Sequence, residues 1–191
     1  MKPKILLLAS GDGSLFQAIV DGANVGEIEA HILGLVCDRP GAPVLDRAKK
    51  SGIATYLVPF DSARETWNQK MMEVVTSLKP DLIVSAGFMR ILAPEFVESF
   101  KVINSHPSLL PKFPGAHAVK DALDAQEAMT GTTIHWVDSG VDSGEIIAQV
   151  QVTILPSDDI ATLHERIKIV ERRLIVETIA RLLLTLEKRY V

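Results

Sequence analysis

Ile5-Leu-Leu-Leu-Ala-Ser-Gly-Asp-Gly-Ser14 decides the fold class. Five apolar residues in a row, Ile5 to Ala9, read as a strand buried on both faces, and Ser10-Gly11 ends it. Ser14 to Gly22 then takes up helical spacing. The same pattern repeats downstream. His31 to Cys37 reads as a second strand, Ala42 to Ser51 as a helix that stops at Gly52, and Ala54 to Val58 as a short third strand. Ser62 to Leu78 reads as a long helix with Ser62 as its N-cap, Glu65 at capping-box spacing and Pro80 beyond its end. Leu82 to Ala86 is a fourth strand ending at Gly87. This alternation predicts an α/β fold, an open, mostly parallel twisted sheet with helices on both faces. Ligands of such sheets bind beyond the carboxyl ends of the strands, where Ser10 to Ser14 and Gly87 to Arg90 lie.

The second half has another texture. Val102 to Ser105 reads as a short strand that enters a Pro-rich loop, His106 to Gly115. Ala118 to Ala125 reads as a helix, and Thr132 to Val137 and Ile146 to Ile154 as strands around the loop Asp138 to Gly144. Ile160 to Glu187 is one long helical pattern, with room for a break near its end. No repeat, low-complexity stretch or linker interrupts the chain. The expectation is a single domain over residues 1–191, the second half completing the same sheet.

Composition narrows the function classes. A chain of 191 residues with 47% hydrophobic and 23% charged residues can bury one sizeable core. Its net charge of -4 gives no broad attraction for nucleic acid or an anionic membrane. The single cysteine, Cys37, excludes an intrachain disulfide, fits a reducing, cytoplasmic compartment and reads as a small buried hydrophobe. The apolar run after Met1-Lys-Pro-Lys4 is too short for a signal peptide, and no segment approaches the roughly 20 apolar residues of a membrane span. The last helix reads either as core or as a homodimer surface.

Three segments could carry chemistry. Gly11-Asp-Gly-Ser14 joins a strand to a helix, so its backbone N–H groups and the helix dipole would suit a phosphate; a plain tight turn needs glycine there as well. Asp12 would repel a phosphate unless it points away. In Asn104-Ser-His106 the outer two side chains point the same way from an extended chain. An amide donor beside an imidazole suits acyl transfer, the first stabilising an oxyanion and the second moving a proton; a turn built on Asn and Pro explains the residues too. Asp138-Ser-Gly-Val-Asp142-Ser-Gly144 could solvate a turn or bring a carboxylate to His106, and it is too short for a calcium loop. His31, His135 and His164 read as structural or solvated, while His117 could line the same cleft as the Pro-rich loop. No His/Cys/Asp cluster has zinc spacing, so no metal is expected. No Gly-x-Ser-x-Gly elbow or Walker motif is present.

Gly87-Phe-Met-Arg-Ile-Leu92, Asn104-Ser-His-Pro-Ser-Leu-Leu-Pro-Lys-Phe-Pro-Gly115, Gly131-Thr-Thr-Ile-His135, Asp142-Ser-Gly144 and Leu163-His-Glu-Arg-Ile-Lys168 with Glu171 follow one another along nearly the whole chain. In this order they resemble the formyltransferase family that uses 10-formyltetrahydrofolate. The resemblance implies a Rossmann-like formyltransferase fold and transfer of the formyl group of 10-formyltetrahydrofolate to the amine of glycinamide ribonucleotide, a step of de novo purine synthesis. It implies that His106 is the proton donor, that Asn104 polarises the formyl carbonyl and that Asp142 supports the histidine. The implied folate site is Arg64, Met89, Arg90, Ile91, Leu92, Asn104, Asp138, Ser139, Gly140, Val141 and Asp142. The implied ribonucleotide site is Gly13, Ser14, Leu15, Lys168 and Glu171. The N-terminal half would thus hold ribonucleotide phosphate, and the C-terminal half folate and the catalytic loops. Ile91, Leu92, Phe96 and Val97 would wall the pterin. The chain departs from the family pattern at Asp12, Leu15 and Glu145.

Alternatives share the motifs. A formyltetrahydrofolate hydrolase would use water as acceptor, but those relatives carry an extra N-terminal domain for which this chain has no room. A tRNA formyltransferase would add a C-terminal domain, and a formyltransferase for another amine, such as a nucleotide sugar, is less close in its motifs. A binding module without catalysis would have no need to keep Asn104, His106 and Asp142 together.

Overall fold

The computed structural model describes residues 2–60 and 63–187. Seven strands form one sheet: β1 (Lys4–Ala9), β2 (His31–Cys37), β3 (Thr55–Leu57), β4 (Leu82–Ser85), β5 (Val102–His106), β6 (Met129–Trp136) and β7 (Ile146–Thr153), in the order β3-β2-β1-β4-β5-β6-β7. β1 to β5 run parallel, and β6 and β7 are antiparallel to their neighbours. The mostly parallel sheet is thus as expected, with two antiparallel strands closing one side.

The helices divide between the faces by strand alternation. Ile5, Leu7 and Ala9 of β1 pack with α1 (Ser14–Asn24), α2 (Pro43–Lys50) and α6 (Ile160–Glu187) in one core. Leu6 and Leu8 pack on the other side, with Trp67, Met71 and Val75 of α3 (Arg64–Leu78) and Phe96 of α4 (Pro94–Ser99). A third, smaller cluster joins Val119 of α5 (Ala118–Asp124) to Leu163 and Ile167 of α6. Both faces of the central strands are therefore sealed, which is why β1 reads as an unbroken apolar run.

Three details correct the reading of the sequence. α3 begins at Arg64, and the expected cap Ser62 lies outside the described residues. α4 was not anticipated: its six residues are too few for a periodic signal, although Pro94 in its first turn is a start signal. α6 runs without a break to Glu187. Cys37 is fully buried, as expected, and burial pushes its thiol pKa up. Among the described residues no helix is long and apolar enough to cross a membrane.

Candidate active site

The chain builds β2 and β3 to one side of β1 and then returns to lay β4 and β5 on the other, so the order reverses between β1 and β4. Loops diverge at such a point and leave a crevice at the strands' carboxyl ends. Ser10, buried at the end of β1, ties the two loops together: its N–H donates to the Gly87 carbonyl at 3.1 Å and its hydroxyl accepts from the Met89 N–H at 2.8 Å. A cleft of about 470 Å³ opens beside them, across the ends of β4 and β5.

β5 brings Asn104 and His106 into this cleft and Asp142 reaches it from the β6–β7 loop. The antiparallel register sets Asn104 opposite His135 of β6. The loop is held by Asp138, whose carboxylate accepts from the Gly140 N–H at 3.0 Å and the Ser143 hydroxyl at 2.9 Å. Asp142 itself sits at φ 52°, a conformation that Asp and Asn tolerate better than most residues.

His106 Nδ1 lies 3.2 Å from Asp142 Oδ2, and His106 Nε2 lies 2.8 Å from the Phe113 carbonyl oxygen. A carbonyl and a carboxylate only accept, so both contacts are satisfied together by a ring carrying a proton on each nitrogen. His135 Nδ1 faces the Trp136 carbonyl at 2.8 Å, while Nε2 stands 3.3 Å from Asn104 Nδ2 and 3.5 Å from Asp142 Oδ1. Neutral, that ring accepts from Asn104; protonated, it donates to Asp142. Burial pushes the Asp142 carboxyl pKa up, but hydrogen bonding from His135, the Gly115 N–H at 2.8 Å and the charges of His106 and His135 outweigh it. Asp142 is held below the usual carboxylate range. The cluster can therefore keep a carboxylate ionised beside an imidazole and an amide, all three facing one cavity.

His135 is the functional candidate that sequence reasoning set aside as structural. It is buried, lines the cleft and links Asn104 to Asp142. An imidazole in an otherwise apolar and hydroxyl-bearing strand gives no signal until the register places it opposite Asn104. His117 lines the cleft as expected, and half-buried His164 lines it contrary to its reading as structural or solvated.

Of the expected folate residues, Met89, Arg90, Ile91, Leu92, Asn104, Asp138, Gly140, Val141 and Asp142 line the cleft; Arg64 and Ser139 do not. Arg64 acts from behind, donating to the Ile91 carbonyl. Arg90 is pinned between buried Asp38, at 2.6 Å, and the Phe60 ring, 4.2 Å from its centroid. Met89, Ile91 and Val141 are exposed apolar side chains on the rim. Phe96 and Val97 belong to the core beneath α4 and do not wall the cleft.

The expected ribonucleotide residues stand apart from the cleft lining. Gly13 caps α1 at φ 78°, and a Cβ there would meet Val44 Cγ2 at 2.5 Å, so glycine is required for the turn. The Asp12 carboxylate does not point away from the helix end; it accepts from the Ser14 N–H at 3.2 Å. Leu15 is buried, and Lys168 pairs with Glu165 at 2.8 Å. Glu171 is buried and accepts the Ser105 hydroxyl at 2.6 Å, which joins this group to the cleft through β5. Residues of both halves line the cleft, from Ser85 to Leu92 and from Asn104 onward, so it does not divide between the halves. Among the described residues no group of three or more His, Cys, Asp or Glu side chains is placed to hold a metal ion.

Comparisons with known proteins place the chain in a family. A phosphoribosylglycinamide formyltransferase of Mycobacterium tuberculosis is 42% identical over 183 residues, 94% of this chain and 84% of its own. The trifunctional purine biosynthetic protein adenosine-3 of Drosophila melanogaster is 39% identical over 172 residues, 87% of this chain and 13% of that longer protein. The crystal structure of glycinamide ribonucleotide transformylase 1 from Symbiobacterium toebii aligns with a TM-score of 0.93 at 33% identity, over 96% of this chain and 89% of that one. The sequence model described as Formyl transferase matches residues 3–179, and this chain belongs to the formyl transferase family.

Proposed function

We propose that this chain transfers the formyl group of 10-formyltetrahydrofolate to the amine of glycinamide ribonucleotide, releasing formylglycinamide ribonucleotide and tetrahydrofolate in purine biosynthesis. The observation that carries the reading is the meeting of Asn104, His106 and Asp142 in one cleft, in a chain whose relatives carry this activity in their names. We read residues 1–191 as one working unit of the cytoplasm that acts on small molecules, with no metal in its chemistry.

In the proposed reaction the substrate amine attacks the formyl carbon and the bond from that carbon to the folate nitrogen breaks. Asn104 Nδ2–H and the charged His106 ring stabilise the oxyanion that forms at the formyl oxygen. Asp142 orients His106 and pairs with its protonated form, and a proton passes from the amine to the leaving folate nitrogen, relayed by water. Holding the two substrates together supplies roughly 7–11 kcal/mol of the acceleration. Met89 to Leu92 and Asp138 to Val141 flank the folate, with Arg64 and Ser139 supporting those loops. Gly13, Ser14 and Leu15 offer backbone N–H groups to the phosphate, with Lys168 beside it, and Glu171 takes the ribose or the amine. Asp12 must release the Ser14 N–H for that donor to reach the phosphate.

The test is steady-state release of tetrahydrofolate from 10-formyltetrahydrofolate with and without glycinamide ribonucleotide. Acceptor-dependent turnover supports the reading. Equal turnover without acceptor would identify a hydrolase, and no turnover would reject this acceptor.

A further inference from the structure

β5 alternates across the sheet, so the residue between Asn104 and His106 belongs to the opposite face. Ile103 packs in the core beneath α6, and Ser105 follows it on that side, its hydroxyl 2.6 Å from Glu171 Oε1 and 3.4 Å from Thr132 Oγ1. Both Ser105 and Glu171 are buried. Glu171 Oε2 has no hydrogen-bond partner among the described residues. One carboxylate oxygen is thus fixed to the strand that carries Asn104 and His106, and the other is left for a ligand.

We propose that Ser105 is a positioning residue for the acceptor substrate, holding the Glu171 carboxylate in register with the reacting end of the cleft. The inference rests on the proposed acceptor role of Glu171. Burial pushes the Glu171 pKa up, and the Ser105 hydroxyl, Lys168 and Arg172 work against that shift. The charges that act on it, Lys168 and Arg172, both belong to its own helix, while β5 brings the Ser105 hydroxyl and β6 brings Thr132 behind it. Ser105 is therefore, among the described residues, the one hydroxyl donor that opposes this burial-driven rise.

The experiment compares wild type, Ser105→Ala, Ser105→Cys and Ser105→Thr in full-length protein. In Ser105→Ala the KM for glycinamide ribonucleotide rises about tenfold, the cost of one hydrogen bond to a charged group. The KM for the folate stays put, and the acid limb of kcat/KM for the ribonucleotide moves to higher pH. Ser105→Thr, which keeps the hydroxyl, stays near wild type. Ser105→Cys, of similar volume and a poor donor, follows alanine and carries the test where alanine impairs folding. In parallel, carbon NMR of labelled glutamate follows the Glu171 titration, which shifts upward in Ser105→Ala and Ser105→Cys. An unshifted titration overturns the proposal, as does a ribonucleotide KM that is unchanged or rises together with the folate KM. A wild-type protein idle on the ribonucleotide instead rejects the acceptor reading, while the NMR titration still judges the bond between Ser105 and Glu171.

Discussion

Replacing Asp142 by Asn tests the ion pair at the heart of the site. Asn is the apt substitution because φ is 52° at this position, which Asn tolerates and Ala does not. The shape is kept, and an amide oxygen can still accept the Gly115 N–H. What is lost is a negative charge 3.2 Å from His106 Nδ1, with both side chains largely buried. At that distance and an effective dielectric constant of about 20, the gross attraction is roughly 5 kcal/mol. Desolvation of the pair and competition from water reduce the useful part to about 2–3 kcal/mol, in line with hydrogen bonds between charged groups. Turnover should then fall about 30- to 150-fold. Both KM values should stay within about threefold, because the lost interaction acts on the reacting centre. The assay is formyl transfer at saturating substrates, with thermal unfolding as a check on folding. A correctly folded Asp142→Asn protein with turnover within threefold of wild type would refute the reasoning. The pH dependence has a definite sign. The folded-state pKa of Asp142 is depressed, so its contribution to stability is present above the ordinary carboxylate range and is lost as pH falls through the folded value. The stability gap between wild type and Asp142→Asn should close in acid.

Three further outcomes follow from burial and packing. Glu171 has a raised folded-state pKa, so the stability it contributes is present below its unfolded value and lost as pH rises through the folded one. Glu171→Gln should therefore gain stability relative to wild type between acid and neutral pH in denaturant titrations, while its ribonucleotide KM rises. A Cβ at Gly144 would lie 1.8 Å from the Trp136 carbonyl oxygen, so Gly144→Ala must shift the Asp142 loop. We expect a loss of about 1–3 kcal/mol in stability and at least a tenfold fall in turnover, read by thermal unfolding and kinetics. Trp67 is buried against Phe60 and Phe88 with its indole N–H on the Val58 carbonyl at 3.0 Å. Trp67→Ala should cost about 3–5 kcal/mol in denaturant unfolding.

The first half of the fold was legible because its strands are sealed on both faces. An unbroken apolar run such as Ile5 to Ala9 has no other comfortable reading when a helical pattern follows it. The antiparallel placement of β6 and β7 was not legible, since a strand's direction in the sheet leaves no mark on its own pattern. α4 is too short to show a period. In the site, Asn104, His106 and Asp142 could be named from motifs, but the roles of His135 and Ser105 could not. Each depends on which residue stands across the sheet: His135 opposite Asn104, and Glu171 above Ser105. Phe96 and Val97 misled for the complementary reason, being apolar residues beside a binding loop that turn into the core.

The most direct test of the account follows the formyl carbon itself. Protein is given 10-formyltetrahydrofolate labelled with carbon-13 at the formyl group, together with glycinamide ribonucleotide, and carbon NMR tracks the label. The account predicts that the label moves to the amide of formylglycinamide ribonucleotide, and that transfer collapses in His106→Ala and Asn104→Ala proteins of normal fold. Label recovered as free formate, or transferred undiminished by both variants, would contradict it.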